Sequence, residues 1–266
     1  MLRRLKRLRD FELTLQISND QFIRPPREEQ RNWLVNRAIG EFVDDLTELD
    51  KLAKKFVSGE TNNADFGVDR TQSILSDQEI MEDWQLPLMR AMSDIVTEKA
   101  GDVLEIGFGR GVSSDYIQQG KVASHTVVEC NDSIVESFHE WRDNYPDSTI
   151  HLLHGKWQDL TDQFAMYDGV FFHTYVLDEA EQIDYIGQSI TFAEHFFSTA
   201  ANHLREGGVF TYISSEIDSL SRSHQRALLK YFDSISLEKI TLNLPGDVKD
   251  NWWADSMMVV KAVKGA

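Results

Sequence analysis

The sequence predicts an α/β three-layer sandwich: a seven-stranded, mostly parallel sheet with helices on both faces, preceded by an N-terminal helical arm. Three observations carry this. Five short apolar runs alternate with helical stretches: 103–107, 125–129, 149–153, 167–172 and 209–213. That alternation means parallel strands joined by crossover helices. Two later runs, 236–242 and 256–260, read as two more strands. The first run ends in a glycine-rich turn that opens a helix.

The elements follow in order. Arg3, Arg4, Lys6, Arg7 and Arg9 precede the first acid, Asp10. Two readings stay open for this basic opening: a transit peptide, or a basic helix docking on this acidic chain or on a second copy of it. No apolar stretch follows it, which argues against a secretory signal. Pro25-Pro26 breaks the chain. From Arg27 to Phe56, Trp33, Leu34, Ala38, Ile39, Phe42, Val43, Leu46, Leu49 and Leu52 recur at three- and four-residue spacing, as on an amphipathic helix. Ser58 to Asp69, with Gly59, Asn62, Asn63 and Gly67, reads as a loop. Residues 1–75 are therefore expected to form a helical arm or lid, and 76–266 the sheet domain. An apolar stripe on such an arm needs a partner surface, either its own sheet domain or a second subunit, and a homodimer through the arm is the expectation. Ile80 to Lys99 is predicted as one helix.

Composition excludes several classes. With 41% apolar residues the 266-residue chain buries a substantial core. No apolar run reaches the roughly 18 residues of a membrane span. The single cysteine, Cys130, excludes a disulfide framework and a cysteine zinc cluster. A net charge of −17 opposes nucleic-acid binding. No membrane or nucleic-acid partner is expected, and a cytoplasmic location is. No metal is expected: His125, His139, His151, His154, His195, His203 and His224 show no ligand spacing.

The turn after the first strand is the most informative stretch: Asp102-Val-Leu-Glu-Ile-Gly-Phe-Gly-Arg-Gly-Val-Ser-Ser. Gly107, Gly109 and Gly111 let backbone approach a ligand closely and adopt positive φ. A dinucleotide fingerprint needs its third glycine later. Glu105 at the strand end repels a pyrophosphate and suits an ammonium. Glu129, about 20 residues on, ends the second strand where an acid takes both hydroxyls of a ribose. Cys130 beside it reads as a small buried residue of the same wall. His154-Gly-Lys-Trp-Gln-Asp after the third strand, with Lys156, Trp157 and Gln158, is a place for an adenine ring. Leu204-Arg-Glu-Gly-Gly makes the turn into strand five. In this order the series resembles the Rossmann-like fold of class I S-adenosylmethionine-dependent methyltransferases, and implies S-adenosyl-L-methionine as cofactor.

A closer resemblance rests on Met81-Glu-Asp-Trp-Gln-Leu-Pro-Leu-Met, Glu129-Cys-Asn-Asp, Gly155-Lys-Trp-Gln-Asp, Tyr167-Asp-Gly and Thr174-Tyr175. Together these resemble guanidinoacetate N-methyltransferase and its arginine-methylating relatives, over about Ile80 to Ala262. The resemblance implies an N-terminal segment closing over the cofactor, and cofactor contacts at Met81, Gly107, Glu129, Trp157 and Gln158. It implies a substrate site at the end of strand four. It also implies two acids holding a guanidinium, one after the tryptophan of the Met-Glu-x-Trp segment and one just before Thr-Tyr. This sequence has Gln85 and His173 there. A guanidinium is a planar cation with five donors and no acceptor, and it pairs strongly with charged forks. A neutral amide and an imidazole are poor replacements.

The expected activity is thus methyl transfer from S-adenosylmethionine to a small molecule, in specialised metabolism, with a neutral or anionic acceptor rather than guanidinoacetate. Two alternatives stay open: a protein or carrier-tethered acceptor, and a non-catalytic cofactor-binding role. Two roles are open to His173, as a general base beside the acceptor or as a cap on strand four. Gln85 is a candidate substrate contact. Tyr175 is expected to wall the substrate pocket or to pack in the core. Trp252, with Trp253, lines the acceptor site or packs elsewhere. Glu82 and Asp83 are the remaining acids nearby.

Overall fold

A computed structural model describes residues 75–177, 181, 191–244 and 254–265. The basic opening, the 27–56 helix, the 58–69 loop and Trp252-Trp253 lie outside the described residues.

Seven strands form one sheet: β1 Asp102–Ile106, β2 Ser124–Glu129, β3 Ile150–His154, β4 Tyr167–Phe172, β5 Leu204–Tyr212, β6 Ser234–Thr241 and β7 Ser256–Val263. Their spatial order is β3-β2-β1-β4-β5-β7-β6. β1 pairs in parallel with β2 and β4, β2 with β3, and β4 with β5. β7 runs antiparallel to both β5 and β6. Seven strands, mostly parallel, is the architecture the sequence predicts. The order reverses between β1 and β4, and in open α/β sheets such a switch point opens a crevice at the strands' carboxyl ends.

Strand alternation builds the layers. Leu104 and Ile106 of β1, Val170 and Phe172 of β4, and Phe210 and Tyr212 of β5 share one core with Phe196, Phe197 and Phe232. Val103, Phe171 and Val209 face the opposite way, into a second core. The helix Leu86–Thr97 covers this second face with Leu88, Met89, Met92, Ile95 and Val96. Each fully buried apolar side chain of this size stabilises the fold by roughly 1.5–3 kcal/mol. Phe108, Val127, Ile134 and Phe138 form a third cluster.

Two boundaries differ from expectation. The segment predicted as one helix over 80–99 is three pieces: α1 Asp77–Ile80, a 3-10 turn Asp83–Gln85, and α2 Leu86–Thr97. Glu82 is extended between the first two (φ −85°, ψ 148°). Pro87 stands in the first turn of α2, a position that suits proline because the N–H it lacks has no partner within the helix. The Leu204–Gly208 turn is instead the start of β5, and its pairing with β4 shifts register between Tyr167 and Gly169.

Among the described residues, α3 Val112–Gln119, α4 Asp132–Arg142 and the single turn α5 Trp157–Leu160 fill the crossovers from β1 to β4, α6 Phe197–Asn202 lies between β4 and β5, and α7 Arg222–Leu228 between β5 and β6. Asn131 caps α4, its Oδ1 accepting from the Ser133 and Ile134 N–H groups. This explains one residue of the Glu-Cys-Asn-Asp motif by helix capping. No helix among the described residues is long and apolar enough to cross a membrane.

Candidate active site

The carboxyl ends of four adjacent strands enclose one cleft. Ile106 and Gly107 come from β1, Val128–Cys130 from β2, Gly155–Gln158 from β3, and Thr174, Tyr175 and Leu177 from β4; Glu181 and Phe192 complete it.

Its floor is the glycine turn. Gly107, Gly109 and Gly111 all have positive φ (92°, 55° and 75°). Gly107 is the tightest, since a Cβ there would lie 2.2 Å from the His173 carbonyl oxygen. Its own N–H donates to Val128 O (2.9 Å), and the His173 N–H donates to Ile106 O (3.0 Å). The ends of β2, β1 and β4 are thereby drawn together, which only a residue without a side chain permits. Gly109 and Gly111 shape the turn behind the cleft without lining it.

Glu129 is buried and holds this turn in place. Its Oε2 accepts from the N–H groups of Phe108 (3.0 Å) and Gly109 (3.4 Å), and its Oε1 from those of Cys130 (2.8 Å) and Asn131 (2.9 Å). Burial, and then the Glu129 charge, push the adjacent Cys130 thiol up to about 11. Lys156 Nζ pairs with Glu181 Oε1 (3.4 Å), and Glu181 Oε2 accepts from the Leu177 N–H (2.9 Å). Trp157 packs edge-on against Phe196, with ring centroids 5.0 Å apart.

Glu105 corrects the expectation of an ammonium contact. It alternates with Leu104 and Ile106, so its carboxylate faces α3, away from the cleft, and it is 0% exposed. Ser113 and Ser114 hydroxyls donate to its two oxygens. His125 Nε2 donates to Oε2 (3.0 Å), while Gln118 Nε2 donates to His125 Nδ1 (3.0 Å). The acid fastens β1 to the first turn of α3 and to β2. The Met81 side chain is buried in the second core with Leu88 and Met89.

Met81 acts through its backbone. Arg110, in the glycine turn, donates from Nη1 to Met81 O (3.1 Å) and to Asp83 Oδ1 (2.7 Å). This clamp ties the segment ahead of α2 to the turn. Glu82 accepts from Trp84 Nε1 (2.6 Å).

Gln85 and His173 meet on one group. Gln85, 2% exposed, donates from Nε2 to Tyr175 Oη (3.1 Å), and its Oε1 is 3.3 Å from the same oxygen. His173 Nε2 lies 3.1 Å from Tyr175 Oη. Tyr175 lines the cleft.

Of the expected site residues, the fold brings Gly107, Glu129, Cys130, Lys156, Trp157, Gln158 and Tyr175 to the cleft, with Gln85 and His173 bonded to Tyr175. Glu181, Phe192 and the Arg110 clamp escaped the sequence reading. Phe192 sits in an unremarkable apolar stretch, and Glu181 carries no motif. Among the described residues no group of three or more His, Cys, Asp or Glu is placed to hold a metal ion.

Sheet order, switch-point cleft, glycine turn and the acid ending β2 define a class I S-adenosylmethionine-dependent methyltransferase. The lining suits that cofactor: a buried acid, aromatic and aliphatic walls, and a lysine already paired with a carboxylate, rather than a basic set for phosphates. Residues 55–261 match the family model described as guanidinoacetate N-methyltransferase, and the chain belongs to that family. Curated relatives include protein arginine N-methyltransferase 2 of Yarrowia lipolytica, 26% identical over 51% of this chain and 28% of the relative. The protein of that name from Eremothecium gossypii is 30% identical over 36% of this chain and 25% of the relative. The chain spans under a third of the length of these relatives. Among solved structures it is similar to the N-methyltransferase NodS from Bradyrhizobium japonicum (TM-score 0.48, 10% identity, 70% of this chain and 100% of that one). It is also similar to an O-methyltransferase from Bacillus cereus in complex with SAH (TM-score 0.43, 14% identity, 85% and 97%).

Proposed function

We propose that this chain transfers the methyl group of S-adenosylmethionine to a small neutral or anionic acceptor that is not a guanidinium. One observation carries the reading: the two side chains where the family's acids are expected are an amide and an imidazole, both turned onto the neutral phenol of Tyr175. No carboxylate stands at either position to pair with a guanidinium fork, and such pairs are the strong ones.

When bound, the cofactor supplies an electrophilic methyl group on a sulfonium. The chain's part is to hold it and to prepare the acceptor. The backbone at Gly107 would hold the cofactor's amino-acid end. Glu129 reaches the ribose, its long bond to Gly109 (3.4 Å) being the one that yields a lone pair. Lys156, Trp157 and Gln158 border the adenine, with Cys130 in the same wall. Gln85 orients the acceptor, and His173 takes up the proton that the acceptor loses. An imidazole with an ordinary pKa of about 6.5 suits that task near neutral pH.

A second reading is favoured by the relatives named protein arginine N-methyltransferase 2: an acceptor carried on a protein. We further infer a cytoplasmic homodimer, assembled through the arm. A monomer by light scattering at tens of micromolar contradicts the dimer.

Methyl-labelled S-adenosylmethionine tests the reading. The chain is incubated separately with the small-molecule fraction of a cell extract, with its protein fraction, and with guanidinoacetate. Label in a small molecule is expected. Label in protein favours the second reading, and label on guanidinoacetate overturns the first. Cofactor binding without label anywhere leaves a binding-only role.

A further inference from the structure

Among the described strands β3 is one edge of the sheet and pairs only with β2. The His125 N–H donates to Thr149 O (2.9 Å) just before β3, and the Gly155 N–H donates to Glu129 O (2.8 Å) just after it. In a parallel ladder every second residue bonds the same neighbour. Thr149, His151, Leu153 and Gly155 therefore face β2, while the N–H and C=O groups of Ile150, Leu152 and His154 point outward. Among the described residues nothing bonds these outward groups. A groove of about 590 Å³ runs along this edge. Ile150, Leu152, His139 and Arg142 border it on the face that α4 covers, and His151 and Leu153 on the opposite face. The groove thus wraps the open edge instead of sinking into one face.

The groove is basic on an acidic chain. The side chains of Arg142 and His151 make no ion pair or hydrogen bond among the described residues, and His139 makes only an edge-on ring contact with Phe138. Glu136 and Glu140 share α4 with Arg142, but neither lines the groove. With a net charge of −17, a second copy of this chain is repelled at long range, whereas an acid-bearing partner finds unpaired donors here. We propose that this edge docks an extended, acidic peptide segment of another protein, which adds to β3 as a further strand. The peptide backbone pairs with the outward groups of Ile150, Leu152 and His154. A strand alternates its side chains between two faces, so its carboxylates reach Arg142 and His139 on one side or His151 on the other. This docking goes beyond the methyltransferase reading and holds for any acceptor.

The probe is a fluorescein-labelled eight-residue peptide alternating glutamate and valine. It is titrated into the whole chain at low salt and followed by fluorescence anisotropy. We expect saturable binding. Amide exchange read by NMR is expected to slow at Ile150, Leu152 and His154, with little change at His151 and Leu153, whose amides already face β2. The same peptide N-methylated at its interior residues, and a lysine–valine counterpart, are expected not to bind. Arg142→Glu/His151→Glu is expected to weaken binding of the glutamate peptide by at least about tenfold. Both side chains are exposed, so the fold is expected to survive, and thermal unfolding checks this. No binding of the glutamate peptide at millimolar concentration overturns the proposal. Equal binding by the N-methylated peptide, by the lysine peptide or by the double variant also overturns it. Slow exchange at the three outward amides in the chain alone would mean that this chain or a second copy already covers the edge, and overturns it as well.

Discussion

At the residue scale, Gly107 joins the cofactor turn to the acceptor end of the cleft. Its φ of +92° and the 2.2 Å approach of a Cβ to the His173 carbonyl make any side chain there doubly costly. Gly107→Ala is expected to destabilise the fold by about 1–3 kcal/mol, from backbone strain alone. It should also weaken S-adenosylhomocysteine binding, as read by thermal unfolding with and without the ligand. A variant with wild-type melting and affinity contradicts the tight packing. Cys130 provides an independent check. With its thiol pushed up to about 11, only about one molecule in 10⁴ is thiolate at pH 7, and the thiolate is the reactive form. Iodoacetamide should leave the folded chain unlabelled at pH 7 and label it once on unfolding, since it is the chain's single cysteine; intact mass reads both states.

At the element scale, the segment ahead of α2 is held to the glycine turn by Arg110, through Met81 O and Asp83. Arg110→Ala should loosen this segment, and with it the placement of Gln85. The expected outcome is faster hydrogen exchange over 81–85 and little change in melting temperature, because the ion pair is partly exposed and such pairs contribute about 0–1 kcal/mol. Unchanged exchange there would show that the core contacts of Trp84 and Met81 suffice. Much of this architecture was legible in the sequence. Short apolar runs alternating with helical stretches, and the glycine turn, located the parallel strands, and Glu129 marked the end of the second. Pro87 was a legible signal for a helix start, yet the apolar spacing from Ile80 onward masked it. Glu105 misled because an acid beside glycines resembles a ligand. Its place in the alternation with Leu104 and Ile106 assigns it to the α3 face, where two serines and His125 satisfy it. The Gln85–Tyr175–His173 meeting was not legible, because Gln85 and Tyr175 lie 90 positions apart and meet through the packing of α2, which Gln85 precedes, on β4.

At the scale of the whole molecule, the chain couples a cofactor cleft typical of its class to an acceptor end altered at two positions. The charge of −17 sits on a fold whose cleft lining carries Glu129, Glu181 and one paired lysine. On the proposed reading, a cationic acceptor fails for local reasons, the loss of charged forks at Gln85 and His173, and not for want of overall negative charge. If so, two substitutions should restore guanidinium recognition without disturbing cofactor binding. The most direct measurement compares the wild-type chain with Gln85→Glu/His173→Asp for methyl transfer from labelled S-adenosylmethionine to guanidinoacetate, with S-adenosylhomocysteine affinity measured on both. The account predicts no transfer above background for the wild type, measurable transfer for the double variant, and affinities within about threefold, since neither residue is among those assigned to the cofactor. Wild-type transfer to guanidinoacetate equal to or faster than that of the double variant would contradict it.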